Sequence, residues 1–247
     1  MSWIMPGNEQ LAEQLRSRGR ELSRWVIDDM YRNPFWASRF ASRGKEHAAQ
    51  DAQYHITYLA TAVETGLPEI MANYAVWLRN VLTSRGMCTR HLDENFERLA
   101  DAMAMDYALS PDRLPFACLE AARTALLYEE GTARHIQQRQ QQLADTILKD
   151  IGAHPKFENV PGISTRDDVR YLLSFCADGV ASNSSDQLAA HLSWMHRFSN
   201  EQQVDDRLPE LVFSTTTLTL ETTFPQDDSP AFRQVLDVLV AEREHST

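Results

Sequence analysis

Three polar side chains in the first quarter of the chain are spaced so that one helix could bring them together to bind a ligand. His47, Asp51 and His55 stand at positions i, i+4 and i+8, and an α-helix places residues with this spacing on one line. Two imidazoles on that line could serve as axial ligands or polar anchors facing a pocket, with Asp51 orienting them. The alternative interpretation is a pair of histidines that are hydrogen-bonded at the rim of the core.

A second pattern overlaps the first. Trp36 is followed, after nine residues, by Glu46 and His47. This W-x9-E-H spacing resembles the signature in the helical bundle of cobalamin-dependent light sensors and related tetrapyrrole-binding helical domains. In that family the tryptophan and the histidine stand over one face of the tetrapyrrole. The resemblance implies that a haem, bilin or cobalamin binds at these positions.

The two patterns together define one candidate cofactor-binding site in the first half of the chain. Aromatic walls on either side of a flat ligand would complete it, and Trp36 and Tyr58 are the aromatic residues predicted for that role. The predicted site residues are Trp36, Glu46, His47, Asp51, His55 and Tyr58.

Patterns for other chemistry are missing. The pair of E-x-x-H motifs that carboxylate-bridged di-iron bundles need is absent, as are Walker A, Rossmann, G-x-S-x-G and H-E-x-x-H patterns. Cys88 and His91 form a C-x-x-H half-site, but no second half follows at zinc spacing. The sequence therefore predicts no catalytic residue and no metal site, and it favours a non-enzymatic protein.

Composition restricts the fold and the partners. Only 9 glycines and 10 prolines occur in 247 residues, so turns are scarce and long helices are favoured. The net charge of −11 argues against a nucleic-acid partner. The sequence contains no apolar window long enough to predict a membrane span. Three cysteines, an odd number with no C-x-x-C pair, fit a reducing cytoplasm.

Apolar residues recur with helical spacing along the chain and predict an all-α fold. The segment 213–220 has strand propensity, yet its position in an internal repeat predicts a helix over 205–224. The predicted helices are 8–32, 46–64, 68–85, 89–107, a long one over 112–151, 205–224 and 230–244.

An internal repeat organises these helices. The pairs Asp51/Asp168, Tyr54/Tyr171 and Trp77/Trp194 all recur at an offset of 117 residues. Residues present in both copies are predicted to be structural, with the aspartates capping helix starts and the tryptophans in the core. His47 and His55 occur in the first copy only, which makes that copy the predicted ligand site.

The predicted architecture is two tandem pseudo-repeats of a four-helix unit, joined by a long central helix. Residues 1–110 form the first repeat, 111–150 the linking helix, which is also the first helix of the second repeat, and 151–247 the rest of the second repeat. The repeat predicts that 34–110 and 151–226 superpose.

The leading functional hypothesis is a cytoplasmic ligand-sensing or regulatory protein that binds a tetrapyrrole-like ligand in its first repeat. The alternative is a scaffold or adaptor that binds an amphipathic partner helix in a groove between the repeats. The predicted partners are a small-molecule ligand or a protein, including a second copy in a homodimer, with no nucleic acid and no membrane. An enzyme ranks third.

Overall fold

A computed structural model describes residues 7–105, 113–153, 160–205 and 207–241. Those residues form ten α-helices and no β-strand, so the predicted all-α class is confirmed. The helices are α1 (Asn8–Met30), α2 (Pro34–Thr65), α3 (Glu69–Thr83), α4 (Thr89–Ala104), α5 (Leu114–Ala125), α6 (Thr132–Gly152), α7 (Arg166–Ser182), α8 (Asp186–Glu201), α9 (Arg207–Thr223) and α10 (Pro230–Ala241).

The threonine-rich segment of α9 is helical. The internal repeat predicts this helix, whereas the strand propensity of the segment predicts a strand. The hydroxyls of Thr216 and Thr217 donate to the carbonyls of Val212 and Phe213, one turn earlier, at 2.7 and 2.9 Å. These bonds satisfy the buried hydroxyls inside the helix itself. Burial of one side of α9 therefore outweighs the local preference of threonine for strands.

The predicted long helix over 112–151 is wrong. The chain forms two helices there, α5 and α6, and the residues between Ala125 and Thr132 connect them. Gly131, at the N-cap of α6, has φ 140°, a value that residues with a side chain rarely adopt. The start of the predicted linking helix, at 111–112, lies outside the described residues.

The second helix begins twelve residues earlier than its predicted start at 46. Asn33 caps α2, its side chain accepting a hydrogen bond from the Phe35 N–H at 3.0 Å, and Pro34 occupies the first turn. At the other end Gly66 adopts the left-handed conformation, with φ 68°. One uninterrupted helix therefore carries all six predicted site residues.

The chain divides into two compact units: unit 1 comprises 1–81 and 91–127, and unit 2 comprises 82–90 and 128–247. In unit 1, α1 and α5 pack against α2. In unit 2, α6 and α10 pack against α7, whose side chains are buried almost all round from Asp168 to Gly179. These units do not test the predicted repeat boundaries, which stay a prediction.

None of the described helices combines the length and the apolar character that crossing a bilayer requires.

Candidate functional site

The six predicted site residues share α2 but lie in different environments. Glu46, His47 and Asp51 are exposed. Trp36 is only 2% exposed and His55 only 3% exposed. Tyr58 is 41% exposed.

Trp36 belongs to an aromatic cluster inside unit 1. Its ring stacks on Phe40 at a centroid distance of 5.6 Å, meets Phe35 edge-on at 5.5 Å and lies 4.8 Å from His91. Helical rise places it about 33 Å along α2 from Tyr58. The structure therefore does not bring together the two side chains predicted to wall one flat ligand, and these residues do not fit a single tetrapyrrole held between them.

The two histidines separate in the same way. A 2.7 Å hydrogen bond joins His55 Nδ1 to the hydroxyl of Tyr74, and burial lowers the pKa of His55 to about 3. Its imidazole is neutral at physiological pH and follows the alternative interpretation, a hydrogen-bonded core histidine. His47, two turns earlier, is exposed.

A stack of three aromatic rings lies over this hydrogen bond, and we call it the open stack: Tyr58, Tyr74 and Trp77. Tyr58 and Tyr74 are stacked at 3.9 Å between centroids, 16° from parallel, and Trp77 extends the set at 6.0 Å from Tyr74 with its ring tilted by 31°. Burial, reinforced by the charges of Asp51 and Tyr58, raises the pKa of Tyr74. Tyr54, one helical turn before Tyr58, is exposed beside the stack.

The prediction that Trp77 is a core residue is wrong, because the side chain is 57% exposed. The buried face of α3 is formed by Met71, Ala75, Leu78 and Leu82. Trp77 stands at the edge of that face, where one side of its ring meets Tyr74 and much of the remainder meets solvent.

Unit 2 contains a second set of stacked rings, which we call the buried stack: Phe175, His191, Trp194 and Phe198. Successive centroids are 4.3, 5.6 and 5.2 Å apart, and the rings are within about 21° of parallel. Each ring is buried, and Trp194 is only 6% exposed. Its first three members stand 117 residues after Tyr58, Tyr74 and Trp77, so the offset noted in the sequence relates the two stacks.

A turn before α7 packs against the last ring of the buried stack. A Cβ added to Gly162, which has φ 92°, would lie 2.4 Å from Phe198 Cε1, so only glycine fits there. The Asp168 carboxylate holds this turn by accepting from the N–H groups of Gly162 and Thr165, at 2.8 and 3.0 Å, and from the Thr165 hydroxyl at 2.5 Å.

The described residues offer no metal-binding group of three or more His, Cys, Asp or Glu side chains. The three cysteines are buried and reduced. Burial raises the pKa of Cys118 to about 11 and that of Cys176 further. Neither thiol has the lowered pKa that a cysteine nucleophile needs.

Comparison with known proteins finds no match among family models, curated proteins or solved structures.

Proposed function

We propose that the protein is a ligand-sensing or regulatory helical module and that the open stack of unit 1 binds a flat aromatic ligand. One observation carries the proposal: Tyr58 and Trp77 are 41% and 57% exposed, whereas their counterparts in the buried stack are covered. A cluster of exposed aromatic side chains of this kind is typical of binding surfaces.

The polar groups around the stack suit such a ligand. Small-molecule sites combine apolar and aromatic lining with a few polar groups that fix orientation. Here Tyr54 and Asp51 supply a hydroxyl and a carboxylate at the edge of the rings, both exposed. His55 below the stack holds the Tyr74 hydroxyl and so fixes the ring against which Tyr58 and Trp77 lie.

Haem, bilins and cobalamin are the first ligands to test, because they are flat and because the W-x9-E-H resemblance implies them. Their place on the open stack would differ from the one that the resemblance implies. Trp36 lies inside unit 1, so the aromatic contact would come from Tyr58 and Trp77.

We also propose that the chain is a tandem pseudo-repeat. Two pairs of helices begin at nearly the same offset. The starts of α3 and α8, Glu69 and Asp186, are 117 residues apart, and those of α5 and α10, Leu114 and Pro230, are 116 residues apart. The helices α2 and α7 both end at left-handed residues, Gly66 with φ 68° and Asn183 with φ 53°. A duplication accounts for both stacks at once.

The test is an absorbance and tryptophan-fluorescence titration of haem, biliverdin and cobalamin against the parent, Trp77→Ala and Leu218→Ala. Leu218, in α9 of unit 2, is an exposed large apolar residue and provides the matched control. At least one ligand should bind the parent and the control equally and bind Trp77→Ala about tenfold more weakly, as expected when a stacking ring is lost.

Two results would count against this site. Binding that is insensitive to Trp77→Ala but lost in His47→Ala would favour the position implied by the resemblance. Binding of none of the three ligands would instead favour the adaptor hypothesis, since an amphipathic partner helix could cover the exposed rings of the stack.

A further inference from the structure

The chain segment that carries the open stack contains charged side chains of one sign only. From position 46 to position 78 the chain contains four carboxylates, Glu46, Asp51, Glu64 and Glu69, and no lysine or arginine. The guanidinium of Arg79, which follows this stretch, donates to the carbonyl of Leu126 at 3.0 Å. Glu64 forms an ion pair with Arg16 of α1.

Asp51 is the carboxylate next to the rings. Its side chain is exposed, and its charge acts on Tyr74 strongly enough to contribute to the raised pKa of that phenol. The faces of Tyr and Trp rings are themselves negative, because of the quadrupole of the π system. A ligand that reaches the open stack therefore meets negative ring faces and a negative rim.

The buried stack shows what is missing from the open one. In α8, Trp194 is followed one turn later by Phe198, which adds a fourth ring at 5.2 Å. In α3 the residue one turn after Trp77 is the half-buried Val81, which has no ring. Where unit 2 places its fourth ring, unit 1 leaves the exposed Trp77 indole.

From these two observations we infer that the open stack takes a planar organic cation, a heteroaromatic ring with delocalised positive charge, as a fourth ring against Trp77. Asp51 then lies at the rim as the counter-charge. This inference rests on the proposed function and names the ligand class of the same site. Among flat ligands, it favours a cationic ring over the carboxylate-bearing haem and bilins.

The probes are three flat bicyclic molecules of similar size: 1-methylquinolinium, a cation; quinoline, neutral at pH 7.5; and 2-naphthoate, an anion. Two-dimensional NMR of the full chain at low salt follows the indole N–H resonance of Trp77, assigned with Trp77→Phe. The cation should shift this resonance with a Kd about tenfold below that of the anion, with quinoline between them.

Three variants locate the effect. Asp51→Asn should reduce the difference in affinity between the cation and quinoline, leaving the part that comes from the ring faces. Glu46→Gln, which removes an exposed carboxylate five residues earlier in α2, should leave the difference unchanged. Val81→Phe places a fourth ring where unit 2 has one, so it should weaken binding of the cation while the circular dichroism spectrum stays that of the parent.

The outcomes distinguish this inference from the proposed function. If all three probes bind equally well and Val81→Phe weakens each of them, the flat-ligand site stands and the inferred charge is wrong. If the Asp51→Asn variant keeps the full preference for the cation, the role given to Asp51 is wrong. If no probe shifts the Trp77 resonance, the inference is wrong, and the titration with haem, biliverdin and cobalamin decides separately whether the proposed function fails.

Discussion

The open stack and the buried stack have related rings at related positions but opposite exposure. In unit 2 the chain before α7 forms a turn, and Gly162 of that turn packs on Phe198. In unit 1 the corresponding stretch lies inside α2, which runs without interruption from Pro34 to Thr65. The turn that packs on the last ring of the buried stack therefore has no counterpart in unit 1, where Tyr58 and Trp77 are exposed.

The paired aspartates differ for the same reason. Asp168 is the third residue of α7 and forms a capping box with Thr165, as the sequence predicts for a helix start. Asp51 lies in the middle of α2 and is exposed, so its predicted capping role is wrong. Of two aspartates at the same offset, only the one at a helix start has the capping role.

The largest expected effect separates the two tryptophans. Trp194→Ala removes a buried ring stacked between His191 and Phe198 and should lower the free energy of unfolding by about 3–5 kcal/mol. Trp77→Ala removes an exposed ring and should lower it by less than about 1 kcal/mol. Urea unfolding followed by far-UV circular dichroism measures both changes.

Equal losses of stability in the two variants would contradict this comparison, since they would place Trp77 in a core. A small loss in both would show that the buried stack contributes little to unit 2. Only the unequal result is consistent with one closed and one open set of rings.

The helices were largely predictable from the sequence because their apolar periodicity is regular. The break between α5 and α6 was missed because Leu126 and Ile136 keep a helix-like apolar pattern on either side of it and Gly131 is the only local signal. The early start of α2 was missed although Asn33 and Pro34 form a recognisable cap and first turn.

Of the candidate site, the sequence identified Asp51, His55 and Tyr58 but not their partners on α3. The sequence predicts Trp77 in the core, but the packing of α3 centres its buried face on Ala75 and Leu78 and leaves Trp77 at the edge. Periodicity gives the direction of an apolar face to within about one residue position on the helix, and that margin decides whether a tryptophan at the edge is buried or exposed.

The second prediction concerns the effect of pH on the free energy of unfolding, through the turn that packs against the buried stack. Burial raises the pKa of Asp168 to about 6 from its ordinary value of 3.8. The folded protein therefore binds this proton more tightly than the unfolded chain. Its contribution to stability is fully present below pH 3.8 and is lost as the pH rises through about 6, a decrease on the order of 3 kcal/mol.

Asp168→Asn should abolish this decrease, whatever it does to the overall stability. The measurement is the free energy of unfolding from pH 4 to pH 7, taken as the difference between parent and variant so that other titrating groups cancel. Asp51→Asn, at the exposed position of unit 1, is the control. A parent and an Asp168→Asn variant with parallel pH profiles would show that the buried carboxyl does not titrate in this range.

The smallest effect tests the hydrogen bond that supports the open stack. Leu172 of unit 2 follows His55 at the offset of 117 residues, so His55→Leu gives the two units the same residue at these positions. The change leaves the buried Tyr74 hydroxyl without its 2.7 Å partner and should lower the free energy of unfolding by about 1–3 kcal/mol at pH 7. Differential scanning calorimetry and urea unfolding measure the loss.

Removing both polar groups, in His55→Leu with Tyr74→Phe, should restore most of that stability, because no buried group is then left unpaired. A double variant as unstable as the single one would instead assign the loss to the packing of the imidazole.

The dependence of stability on acidic pH gives an independent check on His55. Burial lowers the pKa of His55 to about 3, below the 6.5 of the unfolded chain, so this residue stabilises the fold above pH 6.5 and that contribution is lost as the pH falls toward 3. In both variants the free energy of unfolding should lack this decrease at acidic pH. The decrease due to His55 occurs as the pH falls, whereas the one due to Asp168 occurs as the pH rises.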